Sequence, residues 1–319
     1  MARESIESFS KQLEYEPQIE NADNFKTKDK FVVVGMGGSN LTPGLFQIWK
    51  PELDVLIHKD YGLPEGDLKD RLVIVSSYSG KTEEALDAFN VALERKLDMV
   101  AITTGGKLLD MAKENNVPHV LMPDIGVHPR FAVGLSLMAM AKAFSEENAL
   151  KDLKSLAGSF DPADYEEKGK QIAEKLKDKI PVIYSSRTNS PLVYCWKVKF
   201  NESAKTPVSY NVFPELNHTE MAGLDSESSK KLLADKLQFI FLKDSDDDDR
   251  IQKRFDVTAK LYQDRGFSAE IVEIEGDSKW KKILSSLLTA DWASLHLAEM
   301  YGVNAEDTSM IEDFKKSII

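Results

Sequence analysis

The chain is 319 residues long, with 42% hydrophobic and 29% charged residues, enough for two globular domains that each bury a core. A formal net charge of −12 argues against nucleic acid as a partner, because phosphate backbones select basic surfaces. The single cysteine, Cys195, excludes an internal disulfide and a cysteine-rich zinc site, and fits a reducing, cytoplasmic setting.

The opening stretch MARESIESFSKQLEY is charged and amphipathic, without the apolar core of a signal peptide. Nowhere is there a run of about 18 apolar residues, so no membrane span is expected. The five histidines keep no metal-ligand spacing, and no metal site is expected.

Short β-branched runs then alternate with longer amphipathic segments, the pattern of parallel α/β sheets. Strands are predicted at 31–37 (FVVVGMG), 54–58 (DVLIH), 71–77 (RLVIVSS), 99–104 (MVAITT) and 119–124 (HVLMPD). Between the third and fourth, Ala85, Leu86, Phe89, Ala92 and Leu93 share one helical face. A helix over about 131–145 is apolar nearly all round, which predicts burial between layers or domains.

The polar segment 145–166 reads as a helix and linker, separating a first domain, 1–150, from a second, 151–319. The second half repeats the theme, with strands at 181–186, 236–244 and 268–276, helices over about 190–204 and 249–265, and a last helix starting near Thr308. The run DSDDDDR (244–250) predicts a solvated loop that places acids at a helix N-terminus. The expected class is α/β, with two doubly wound parallel sheets of flavodoxin-like, three-layer α/β/α build.

Two strand-to-helix turns share a chemistry. The first strand ends in Gly35-Met36-Gly37-Gly38-Ser39-Asn40, the third in Ser77-Tyr78-Ser79-Gly80-Lys81-Thr82. Small residues let backbone N–H groups approach an anion at a helix N-terminus, and the second turn adds three Ser/Thr hydroxyls. Both lie at carboxyl ends of strands, where open α/β sheets bind ligands. The first turn partly fits a dinucleotide fingerprint, but Asn40 stands at the third glycine and Pro43-Gly44 interrupts the expected helix. Together the two turns favour a sugar phosphate over a nicotinamide dinucleotide.

Residues 199–223, KFNESAKTPVSYNVFPELNHTEMAG, carry the carboxylate Glu202 followed by one histidine, His218, in a polar, turn-rich connection. A carboxylate and an imidazole brought to one cleft move protons on and off a carbon acid. Taken singly, each has a structural explanation, as a solvated acid or a hydrogen-bonded histidine. Glu220 is a second nearby carboxylate, whose neighbours suit support of the loop.

GMGGSN, SSYSGKTEE, HPRFAVG, FNESAKTP, FPELNHTEMAG and the Thr308-to-Lys315 segment occur in an order that resembles the sugar isomerase (SIS) domain superfamily. More closely, the chain is similar to the bifunctional phosphoglucose/phosphomannose isomerases. The resemblance implies two SIS-type domains and interconversion of glucose 6-phosphate or mannose 6-phosphate with fructose 6-phosphate, without metal or nucleotide cofactor. It implies that Gly37, Gly38, Ser39, Ser77, Ser79 and Thr82 hold the phosphate. Glu202 would be the base, His218 and Lys315 would act in ring opening, and Arg130 would stabilise negative charge. Lys316 is an adjacent rival to Lys315. Thr308 resembles the threonine that marks the dual-specificity group.

The resemblance further implies a homodimer whose site lies between subunits, with Trp196, Val198, Phe200 and the 131–145 helix as candidate packing elements. Two other readings stay open on the residues: a sugar-phosphate-binding regulatory SIS protein without catalysis, and a nicotinamide-dependent enzyme.

Overall fold

The computed structural model describes residues 1–317. The chain divides at Asp161/Pro162 into two compact α/β units.

After a short helix, α1 (Ala2–Glu7), the first unit runs β1 (Lys30–Val34), α2 (Thr42–Trp49), β2 (Asp54–His58), β3 (Leu72–Ser76) and α3 (Glu83–Glu94). It continues with β4 (Met99–Thr103), α4 (Gly106–Glu114), β5 (His119–Leu121), α5 (Val133–Ala143) and α6 (Glu147–Leu156). All five strands are parallel, in the order β2-β1-β3-β4-β5. This is the flavodoxin-like order, whose chain reversal between β1 and β3 opens a crevice at the carboxyl edge.

Both faces of this sheet are covered, which is why its inner strands read as unbroken apolar runs. Val32, Val34, Val73 and Val75 pack under Ala85, Ala88 and Phe89 of α3 and Leu108 of α4. On the other face Phe31 meets Phe144 at 4.6 Å between ring centroids, and Phe46 of α2 meets it at 5.1 Å. Pro43 does not interrupt α2: it sits in the first turn, where its missing N–H has no helical partner to lose.

The second unit runs α7 (Glu166–Leu176), β6 (Ile180–Ser186), α8 (Ser190–Glu202), β7 (Ser209–Phe213), α9 (Glu227–Leu233) and β8 (Leu237–Lys243). It closes with α10 (Asp249–Gln263), β9 (Ser268–Glu273), α11 (Lys279–Tyr301) and α12 (Ser309–Ser317). Its four strands are parallel in the order β7-β6-β8-β9, so β6 and β8 flank a second switch point. An aromatic core of Tyr184, Phe213, Phe239, Phe241, Phe255 and Tyr262 fills one face. Against the other pack α8, α7 and the 23-residue α11.

Strand β7 was not predicted. Only Phe213 of SYNVF is buried, because β7 is an edge strand with one covered side, and such strands lack a two-sided apolar run. The candidate subunit-packing elements also need correction. Trp196 and Phe200 are 0% exposed and α5 is buried along its length, all within the chain's own cores.

Candidate active site

In the first unit the loops after β1, β3 and β4 converge at the carboxyl edge of the sheet. A short 3-10 turn, Gly37–Asn40, carries Gly37, Gly38 and Ser39. The Tyr78 amide donates to Ser39 Oγ at 2.9 Å, which joins the first loop to the second. Ser77 Oγ and Thr82 Oγ1 are 2.9 Å apart, and Ser79 Oγ accepts from the Lys81 amide at 3.3 Å. Thr82 is the N-cap of the 12-residue α3, so its hydroxyl stands at the positive end of a helix dipole.

Two glycines make this convergence possible. Gly80 has a φ of +64°, and a Cβ there would lie 1.8 Å from the Gly105 carbonyl oxygen. At Gly38 a Cβ would lie 2.8 Å from the Pro129 carbonyl carbon and 2.9 Å from the Arg130 nitrogen. Gly38 thus seats the Pro129–Phe131 turn directly against the first loop. Arg130 on that turn is 1% exposed, with its guanidinium 4.9 Å from the Phe131 ring centroid. The turn thus brings a buried, always-charged arginine into the same unit as these loops.

Asn40 completes the first loop by donating to the carbonyls of Gly35 at 2.5 Å and His58 at 3.3 Å. Asn40 Oδ1 and Thr42 Oγ1 beside the cradle are buried without a hydrogen-bond partner, a local cost of about 1–3 kcal/mol each. The third loop was missed in the sequence. Thr104 Oγ1 donates to the Tyr78 carbonyl at 2.7 Å, and Gly105-Gly106 lets this loop close on Ser79 and Gly80. The adjacent glycine pair after a strand was the available signal.

In the second unit Glu202 is the last residue of α8, within the helix predicted over about 190–204, and is half-buried. The following turn brings Lys205 Nζ back onto the Glu202 carbonyl and onto the Asp307 carbonyl. Lys205 therefore ties the helix end carrying Glu202 to the segment carrying Thr308. His218 is exposed on the connection after β7, between 3-10 turns at Glu215–Asn217 and Glu220–Leu224. Lys315 on α12 pairs with Glu312 one turn earlier at 2.8 Å, and Lys316 approaches Asp313 at 3.6 Å. Neither lysine side chain is buried.

The corresponding loops of the second unit build no anion cradle. At the end of β8, Asp244 and Asp246 grip Lys282 of α11 at 2.7 and 2.8 Å, and Asn189 after β6 donates to Asp244 at 3.2 Å. Asp244 is 7% exposed, so the acidic run is not wholly solvated. Asp248 does cap α10, accepting from the Arg250 amide, and the Arg250 side chain holds its carboxyl down at about 2. Carboxylates fill this switch point, and a phosphate there would meet like charge.

Cys195 and His119 are buried, and His119 contacts the Val117 carbonyl and Glu20. His296 lies between Glu166 and Glu299. Among the described residues no group of three or more His, Cys, Asp or Glu is placed to hold a metal ion, and no helix is long and apolar enough to cross a membrane.

Two tandem parallel α/β units, one carrying a cluster of hydroxyl- and glycine-rich loops at its switch point, define a double-SIS-domain protein. Solved structures share the fold. A hypothetical protein from Thermus thermophilus matches with a TM-score of 0.70 at 17% identity, over 99% of this chain and 87% of that one. A tagatose-6-phosphate ketose/aldose isomerase from Escherichia coli matches with a TM-score of 0.64 at 14% identity, over 96% and 93%. A family model described as the bacterial phosphoglucose isomerase C-terminal SIS domain covers residues 165–318. A bifunctional phosphoglucose/phosphomannose isomerase from Aquifex aeolicus is 32% identical over 98% of this chain and 97% of its own length. The chain belongs to the bifunctional phosphoglucose/phosphomannose isomerase family.

Proposed function

We propose that the chain is an aldose–ketose isomerase interconverting glucose 6-phosphate and mannose 6-phosphate with fructose 6-phosphate through a cis-enediolate. The observation that carries this reading is the cradle of Ser39, Ser77, Ser79 and Thr82 closed by the buried Arg130, in a chain matched along its length by such isomerases.

The phosphate lies in the cradle, held by backbone amides at Gly37 and Gly38 and by the four hydroxyls. His218 and Lys315 open the sugar ring, one taking the C1 hydroxyl proton while the other protonates the ring oxygen. Glu202 then removes the C2 proton, leaving the enediolate, and returns it to C1, so one base serves both transfers. Arg130 is always charged and offsets the negative charge that develops on the enediolate oxygens. Glucose and mannose phosphates differ only at C2 and share this planar intermediate. Thr308 leaves room for reprotonation at either face.

No metal or nucleotide takes part in these steps. The working form is a homodimer in the cytoplasm, with the site completed across subunits. The test is one purified sample assayed for fructose 6-phosphate formation from both aldose phosphates, with and without EDTA. Turnover of both, unchanged by EDTA, is expected. Binding of fructose 6-phosphate with no turnover of either aldose would instead assign a regulatory SIS protein. Sedimentation at assay concentration checks the dimer, and a fully active monomer would contradict it.

A further inference from the structure

We propose that Glu220 is the positioning residue for His218, fixed by a clamp of Tyr184 and Asn211. Tyr184 donates its hydroxyl to Glu220 Oε1 at 2.5 Å, and Asn211 donates Nδ2 to Oε2 at 2.5 Å. The two donors are register partners on β6 and β7, so adjacent strands grip both oxygens of one carboxylate. The Val212 amide donates to Asn211 Oδ1 at 2.7 Å, which turns the amide nitrogen toward Glu220. Tyr184 is 0% exposed among Phe213, Phe239, Phe241 and Tyr262, so its hydroxyl cannot follow a moving loop. Burial pushes the Tyr184 phenol far above its ordinary range, which keeps it a proton donor.

On the other side of His218, Asn217 is anchored to α10. Its Oδ1 accepts from Arg254 at 2.9 Å and its Nδ2 donates to Thr258 at 2.9 Å. The exposed imidazole is thus carried on a segment pinned at the preceding residue and two residues later. An apolar residue at 220 would hold a purely structural turn without the cost of desolvating a carboxylate. The two directional hydrogen bonds from Tyr184 and Asn211 set the turn's orientation more narrowly than packing alone would. Fixing a proton-transfer group to within a fraction of an ångström is worth about 100-fold in rate.

This inference rests on the reading of His218 as the ring-opening group, and the test separates the two. Anomerisation of glucose 6-phosphate needs only ring opening and closure, whereas isomerisation also needs removal of the C2 proton. Both rates are measured by NMR exchange on wild type, Glu220→Gln, Tyr184→Phe and His218→Asn, with thermal melts of each. In Glu220→Gln both rates should fall together by about 10- to 100-fold with KM changed less than about twofold. Tyr184→Phe removes one of two donors and should lose about tenfold in both. Wild-type anomerisation in Glu220→Gln and Tyr184→Phe, with His218→Asn impaired, overturns the positioning role alone. Wild-type anomerisation in His218→Asn overturns the ring-opening role and this proposal with it.

Discussion

Ser39 and Tyr78 lie on loops that follow different strands, and the Tyr78 amide donates to the Ser39 hydroxyl at 2.9 Å. Ser39→Ala removes the acceptor and leaves a buried N–H unpaired, a cost of about 1–3 kcal/mol. The Tm should fall by several degrees, at about 2–4 °C per kcal/mol for a unit of this size. The KM for each hexose phosphate should rise about tenfold through the lost hydroxyl. Thermal scans and steady-state kinetics check both, and wild-type values for both would contradict the cradle.

Gly38→Ala pushes a methyl group into the Pro129–Arg130 backbone, which lies 2.8–2.9 Å from the Cβ position. The Arg130 turn must shift while the sheet beneath stays intact. Turnover should fall by about 100-fold, the usual consequence of a displacement near 1 Å at a charge-stabilising group. Circular dichroism should stay unchanged. Wild-type kcat/KM would mean that Arg130 does not act in the reaction.

Glu202→Gln keeps the shape at the end of α8 and removes the base. Isomerisation of both aldose phosphates should drop by about 10²- to 10⁴-fold. Anomerisation should persist, since ring opening does not touch C2. Persistent anomerisation distinguishes this variant from Glu220→Gln, where both rates should fall, and comparable loss of both rates in Glu202→Gln would remove its assignment as base.

Asp247 predicts a pH effect on stability. Burial pushes its carboxyl up to about 6, nearby Asp244 adds repulsion, and Ser186 and Lys282 oppose the shift. Its Oδ2 is buried without a hydrogen-bond partner. A raised carboxyl disfavours the folded ion, so the penalty is full above pH 6 and fades as pH falls toward 3.8. Asp247→Asn should therefore add about 1 kcal/mol at pH 7, discounted for partial exposure, and almost nothing near pH 4. Urea unfolding at the two pH values checks the sign; equal gains at both would refute it.

The most legible strands are the ones buried on both faces, although the edge strands at 54–58, 119–121 and 268–273 were also found from their β-branched residues. FVVV, LVIVS and MVAIT have no polar side to disguise them, and the largest error in their predicted ends falls where Gly35 leaves the sheet after Val34. SYNVF was hidden because an edge strand exposes Ser209 and Tyr210. The acidic run after β8 shows the same limit. Its cap on α10 follows from position alone, whereas the pairing of Asp244 with Lys282 spans 38 residues and leaves no local pattern.

The sequence by itself determined the two-fold α/β layout, because apolar period and strand length are local properties that each segment carries whole. It also carried the expectation of an anionic ligand, since glycine and hydroxyl side chains at a strand's carboxyl end are a local pattern that suits anions. The tertiary structure alone decided which loops meet. Ser39 reaches Tyr78 because β1 and β3 are neighbours across a crossover, and Tyr184 and Asn211 close on Glu220 because β6 and β7 are in register. Such contacts depend on sheet order and register, which are set by the collective burial of both faces and not by any one stretch of chain.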